Sequence, residues 1–327
     1  MPTHLPTYDI PKRPLDDTLL DLFLRVDEAL SKLEERARLS PLREAWANRL
    51  LYRNACAAMH TQNCLVYLED LVLLDGHAFA GSMSPDLSCA LGNLKLWQRG
   101  LQEDPSTLLR APMPGEMPRP LSSAVVGDPM GVRERPEFFY DPDWNEAGRL
   151  EQWRRVWQDT NRLPPLLAAA VAWDAWHTLA PEQQGTWRAP LLAALALRAR
   201  AKTRNLLLPI DTGQWLLRKR WTPHDSFGQR VQMFFDIAAA AVKHAGTELD
   251  GLESAKARMM LKLKGVRKNS RLADLIELMI AKPLVSIPLA SKELRISKQA
   301  LRLLIPRLGS APRELTERRR YRCWTVI

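Results

Sequence analysis

Glycine is scarce in this sequence, 15 of 327 residues, and so are the runs of Val, Ile and Thr that mark strands. Both shortages argue against a sandwich or barrel, which needs many short strands joined by glycine turns. The four cysteines, Cys56, Cys64, Cys89 and Cys323, include no CxxC pair and no zinc-finger spacing. That pattern excludes a disulfide framework and a zinc ribbon, and fits reduced, buried thiols in the cytoplasm. No stretch of 18 apolar residues occurs, and the N-terminal "MPTHLPTYDIPKRPLDD" has no apolar signal core, so a soluble, cytoplasmic chain with no membrane partner is expected. Walker-loop, GxGxxG, GxSxG and HExxH patterns are missing as well, which removes the commonest nucleotide, hydrolase and zinc-protease signatures.

What remains is a chain rich in helix formers and long enough for two domains, with 24 prolines set unevenly along it. Its charge is uneven too. Residues 256–327 hold 18 Lys+Arg and 5 Asp+Glu, a net of +13, while the remainder nets −3. A basic excess confined to one end points to a polyanion as the partner of that end.

Residues 16–39 place Leu19, Leu22, Phe23, Val26, Leu30 and Leu33 on one face, with Asp16 or Asp17 as cap, and predict an amphipathic helix. Further helices are expected over 41–61, 64–74 and 84–100. Residues 105–142 contain eight prolines and little periodicity, and read as an extended loop or linker. Helices resume at Asp143. "LPPLLAAAVAWDAWHTLA" starts on prolines suited to a first helical turn and runs apolar on all sides, as a helix inside a bundle does. "WRAPLLAALALRARAKTRNLLLPI" is similar, and a long helix follows from Asp225 to Gly265. No strand is expected before the last fifteen residues.

The C-terminal segment carries the most specific pattern. Leu272, Leu275, Ile276, Met279 and Ile280 form the stripe of a helix capped by Asn269 or Ser270 and stopped by Pro283. "VSIPLASKEL" supplies a short second helix. Ala290, Leu294, Ile296, Ser297, Ala300 and Leu301 then follow the helix–turn–helix spacing: a small residue at the crossing, an apolar turn, a serine cap and an apolar pair facing the core. With Ser297 as cap, Lys298, Gln299 and Arg302 point outward on the helix that such motifs lay in the major groove. Two features depart from the ideal. Arg295 occupies the turn where glycine is usual, and Pro306 should end the helix near Ile305. "GSAPRELTERRRYRCWTVI" then reads as a wing: a strand near Leu315–Thr316, a tip with Arg318, Arg319 and Arg320, and a strand over 321–326 containing Arg322. These arginines, with Arg307 and the upstream Lys264, Arg267 and Lys268, are expected to meet phosphates or a minor groove.

Enzyme signals in the body are sparse. His60 and Cys64 are four apart with no third ligand in register, and His177 stands among Trp173 and Trp176, so both histidines read as packing residues. No catalytic residue, metal or cofactor is assigned. "LPPLLAAAVAWDAWHTLAPEQQGTWRAPLL" resembles the core of Fic-fold proteins, in which paired prolines open a helix before an HPFxxGNGR loop. This chain reads "APEQQGTWR" there: Pro181, Gly185 and Arg188 match, while Ala180 stands in place of the catalytic histidine and Glu182, Thr186 and Trp187 also differ. The resemblance therefore implies a vestigial loop that lacks the group accepting the proton of the attacking hydroxyl. "AAMHTQNC" is similar to the inhibitory helix of that fold, with Gln62-Asn63 in place of Glu-Gly. "YLEDLVLLDG", "LPPLLAAAVAWDAW" and "SAPRELTERRRYRCW" together resemble a family of uncharacterised alphaproteobacterial, often plasmid-borne proteins with a degenerate Fic-like body and a C-terminal helix–turn–helix.

The expectation is a mainly α protein, a Fic-like helical bundle followed by a winged helix–turn–helix with a small β-hairpin. Its parts are an N-terminal helical region (1–104), the Pro-rich linker (105–142), the Fic-like core (143–255) and a basic linker helix with the winged domain (256–327). The expected function is sequence-specific binding of double-stranded DNA by a homodimeric transcriptional regulator, not an enzyme, with a body that answers a small-molecule or protein effector. A divergent nucleotide-transferring enzyme, or a component of a toxin–antitoxin or defence system, is the alternative.

Overall fold

The structure is a computed structural model and describes residues 5–77, 79, 81–110, 143–183, 186–263, 271–314 and 322–326. α1 (Asp17–Leu39) begins at Asp16, whose carboxylate accepts from Leu19 N at 2.8 Å, and buries Leu19, Phe23, Val26, Leu30, Leu33 and Ala37. α2 (Arg43–Thr61) and α4 (Pro85–Gln102, capped by Ser84) pack together across α3 (Leu68–Asp75). The helix expected from Cys64 starts four residues later, because Cys64–Tyr67 are not helical and the extended Tyr67 caps it.

The proline-rich stretch begins helical rather than extended. Pro105 sits in the first turn of α5 (Pro105–Arg110), where its missing N–H costs nothing, and Leu108 and Leu109 are buried against the body. Residues 111–142 lie outside the described residues.

After α6 (Glu146–Asp159), α7 (Pro165–Leu179) runs through the middle of the body. Every residue from Leu166 to Trp176 is buried, and Pro165 occupies the first turn. α8 (Ala189–Ala199) packs beside it and α9 (Ile210–Leu217) lies on α2 and α10 (Phe227–Met260). Gly213 lets α9 and α10 meet: a Cβ there would overlap the Ile237 carbonyl. α10 starts at a reciprocal capping box between Ser226 and Gln229, as its length and apolar stripe require a firm end.

The C-terminal part consists of α11 (Leu272–Ala281), β1 (Val285–Ser286), α12 (Ile287–Leu294), α13 (Lys298–Leu304), β2 (Arg313–Glu314) and β3 (Cys323–Thr325). The α11 stripe is the predicted one, Leu272, Leu275, Ile276, Met279 and Ile280. Its cap is Arg271 without a side-chain bond; Asn269 and Ser270 lie outside the described residues. One expectation about strands needs correction. The sheet has three strands in the order β1-β3-β2, all antiparallel, with Val285 opposite Trp324 and Arg313 opposite Thr325. β1 was hidden because its two residues open a segment of helical composition, and Ser286 both ends the strand and caps α12 by accepting from Leu289 N. β2 falls at Arg313–Glu314, just before the predicted Leu315–Thr316, which lie outside the described residues.

Arg49 fastens this part to the body. It is fully buried in α2, and its Nη1 donates to the carbonyls of Met279, Ile280 and Lys282 at the end of α11. Its charge is matched by Glu248 of α10, 3.4 Å from Nε, and that carboxylate also faces Arg53 and His244. Beside it, Lys282 donates to Tyr52 Oη, and Lys292 to the carbonyl of Gly76, where a side chain would collide with Leu289.

Candidate nucleic-acid interface

The turn between α12 and α13 is set by three residues. Arg295 adopts the left-handed conformation (φ 54°, ψ 43°), Ser291 Oγ donates to the Ile296 carbonyl at 2.7 Å, and Ser297 Oγ accepts from Ala300 N at 3.1 Å to start α13. Ala290 and Leu301 are buried at the crossing, as the spacing predicted. Pro306 ends α13 as expected: Ile305–Leu308 form a 3-10 turn, and Ile305 and Leu308 return to the core.

This leaves Lys298, Gln299, Arg302 and Leu303 exposed on α13, with Arg307 exposed in the following turn. None of the four polar residues has a hydrogen-bond or ion-pair partner among the described residues. Across from them Arg322 stands at the start of β3, half exposed and 3.1 Å from Glu314 of β2. A cleft of about 870 Å³ separates helix from sheet, lined by Lys298, Arg302, Pro306, Glu314, Arg322 and Trp324 among others. Three cations against one carboxylate give it a positive surface. Of the predicted contact residues, Lys298, Arg302 and Arg322 thus share the cleft, while Ser297, Gln299 and Arg307 are exposed outside its lining. Lys264, Arg267, Lys268, Arg318, Arg319 and Arg320 lie outside the described residues.

Sequence reasoning missed Leu303 and the cleft. Leu303 could have been found, because it is the one apolar side chain on the outward face, one turn after Gln299. The cleft could not, since Trp324 and Pro306 meet only through the sheet order.

In the body, Pro181 is buried and its carbonyl accepts from Trp144 Nε1; Arg188 pairs with Glu182 at 3.1 Å and lies over the Trp187 ring; Gly185 lies outside the described residues. Burial raises the Glu182 pKa and lowers that of Arg188. Pro181, Glu182 and Arg188 border a pocket of about 540 Å³ with Trp153, Trp176 and Leu108. Ala180, at the position matched to the catalytic histidine, closes α7 in the left-handed conformation. His177 is packed between the rings of Trp173 and Trp221, and that enclosure lowers its pKa to about 3. His60 contacts the Trp215 ring and Cys64 is buried; no group of three or more metal-ligating side chains occurs among the described residues. The four thiols are all buried, and burial pushes Cys56 up to about 12 and Cys89 and Cys323 up to about 11. Among the described residues no helix is long and apolar enough to cross a membrane.

Comparison with known proteins follows the same division. Residues 138–264 match the family model "Protein of unknown function (DUF1612)", and residues 272–327 match the model of an HTH DNA binding domain. A crystal structure of a Fic family protein from Desulfovibrio desulfuricans G20 is similar over 98% of both chains, at 16% identity and a TM-score of 0.47, a likeness too weak to carry any argument about the body's chemistry. "Uncharacterized protein y4cF" of Sinorhizobium fredii is 30% identical over 91% of this chain and 94% of that protein. The chain thus ends in a helix–turn–helix DNA-binding domain and belongs to the family of the Sinorhizobium protein y4cF.

Proposed function

We propose that the protein is a sequence-specific regulator that binds double-stranded DNA as a homodimer, with a helical body that answers a small-molecule or protein effector. The observation that supports this best is the outward face of α13, where Lys298, Gln299 and Arg302 stand exposed and unpartnered beside a basic cleft. Side chains that fold leaves unpaired and water-facing are free to exchange water for base edges and phosphates. In this reading residues 256–327 are the DNA-binding unit, 1–104 and 143–255 the body, and 105–142 the connection between them. A Fic-type transfer of nucleotide has less support: Ala180 offers no base, and the nearby His177 is held neutral and enclosed.

The test is binding of the full chain to fragments of its source genome across a salt series. Affinity should fall linearly in log–log form by about 0.9 for each phosphate neutralised, and the Lys298→Ala/Gln299→Ala/Arg302→Ala triple variant should lose its preference among fragments. A triple variant with unchanged preference would remove α13 from the role of reader. Transfer of label from ATP to a target protein would restore the enzyme reading.

A further inference from the structure

The exposed face of α13 is not uniform. Residues four apart share a side of a helix, so Lys298 pairs with Arg302 and Gln299 pairs with Leu303. The cleft separates these two stripes. Lys298 and Arg302 line it, together with Arg322 from the sheet; Gln299 and Leu303 do not. The basic stripe is thus turned toward the wing, and the amide–apolar stripe away from it.

Leu303 is 65% exposed, whereas Leu301, Ile305 and Leu308 of the same segment are buried. A lone exposed leucine on a surface needs no explanation. This one lies in line with Gln299, on the helix that a helix–turn–helix lays in the major groove, and Gln299 and Arg307 to either side of it are exposed and polar. The rise from 299 to 303 is about 6 Å, so the two side chains reach base pairs one or two steps apart. In the major groove a carboxamide pairs with the N6 and N7 edge of adenine, and an apolar group meets the methyl of thymine.

We infer that Gln299 and Leu303 are the specificity-determining pair, reading neighbouring A·T pairs through an adenine edge and a thymine methyl, while Lys298, Arg302 and Arg322 hold the phosphate backbone along the cleft. Glu314, the one acid lining the cleft among the described residues, is neutralised by Arg322 and leaves Lys298 and Arg302 as the uncompensated cations there. This inference rests on the DNA-binding reading above and assigns the base contacts within it.

The experiment starts from duplexes selected by the full chain from a random pool. Each thymine of the selected site is replaced in turn by deoxyuridine, which removes only the methyl group. Wild-type affinity should fall about fourfold at one or two thymines, the worth of one buried methyl, and Leu303→Ala should bind thymine and uracil duplexes equally. Gln299→Ala should lose about tenfold of its preference for adenine at a neighbouring position. Lys298→Ala and Arg302→Ala should weaken all sequences alike and each lower the salt slope by about one. Unfolding of Leu303→Ala in urea, expected to match the wild type because the side chain is exposed, separates lost contact from lost fold. A uracil penalty that is absent from the wild type, or that persists in Leu303→Ala, overturns the inference while the DNA-binding reading stands. So does a changed base preference in Lys298→Ala or Arg302→Ala. If no duplex is selected at all, the DNA-binding reading and the inference fall together.

Discussion

α7 and α13 show two ways of handling polar groups. α7 is buried on every side, yet it carries Asp174, wholly buried, whose carboxylate accepts from Tyr8 Oη, Trp221 Nε1 and Arg230 Nε at 2.7–2.8 Å. α13 buries a single stripe and leaves Lys298, Gln299 and Arg302 with no protein partner among the described residues. Asp174 finds its partners inside the body, as a low-dielectric interior demands. α13 holds its three in reserve. A change inside the body should therefore be read in stability, and a change on α13 in binding.

The sharpest way to break that contrast lies where the two regions meet. Glu248 supplies the carboxylate opposite the buried Arg49, which in turn holds the carbonyls at the end of α11. Glu248→Ala leaves a charged guanidinium inside the protein without a counter-ion, and should cost about 3–5 kcal/mol. Urea unfolding monitors the loss. Because Arg49 spans both regions, the winged domain should lose protection from proteolysis in the same variant. A variant in which the body weakens while the domain keeps its protection would show that Arg49 does not couple them.

Asp211 sharpens the comparison within the body. It is fully buried at the start of α9 with Asn54 Nδ2 as its hydrogen-bond donor at 2.8 Å, and burial raises its pKa to about 7. The folded state thus binds a proton that the unfolded state releases near pH 4, so this group makes stability fall as pH rises from about 4 through 7. Asp211→Asn should remove that fall and be the more stable protein above pH 7, by roughly 2–4 kcal/mol. His177 works the other way. Its folded pKa lies below its unfolded one, so stability is lost as pH drops from about 6.5 toward 3. The Asn variant should therefore keep the acid-side loss, to which His177 contributes, and lack the decline toward pH 7, measured as the midpoint of urea unfolding against pH. A variant whose stability still declined toward pH 7 would remove Asp211 as the cause.

These features differ in how far the sequence discloses them. The α1 and α11 stripes, the proline starts of α7 and the Ser297 cap were legible because each depends on residues within one or two turns of one another. β1 was not legible, since two residues carry no period and Val285 becomes a strand only by pairing with Trp324. α5 was concealed by the prolines around it, although Pro105 at a first turn is a helix signal rather than a break. In the candidate interface the residue types on α13 could be named from spacing. Their division into a stripe facing the cleft and a stripe facing away could not, because it depends on where Arg322 and Trp324 return from the far end of the chain. Arg49 gave only a weak sign, a charge inside an apolar helix face, and its partner stands on α10, far along the sequence.

The smallest effect is expected at Arg295, and it tests whether the strain in this turn is kept for a contact with DNA. Its left-handed backbone is one that a side chain disfavours by about 1 kcal/mol and that glycine enters freely. Arg295 is exposed, and its side chain has no partner among the described residues, so its removal breaks no contact among them. Glycine also loosens the unfolded chain, which offsets part of the gain. Arg295→Gly should therefore stabilise the domain by about 0.5 kcal/mol, seen as a small upward shift in urea midpoint. Duplex binding should keep its sequence preference, because Ser297 still sets the start of α13. If binding instead weakens equally for every sequence and the salt slope falls by about one, Arg295 is itself a phosphate contact, and the strain in the turn is kept for the charge it carries to the DNA.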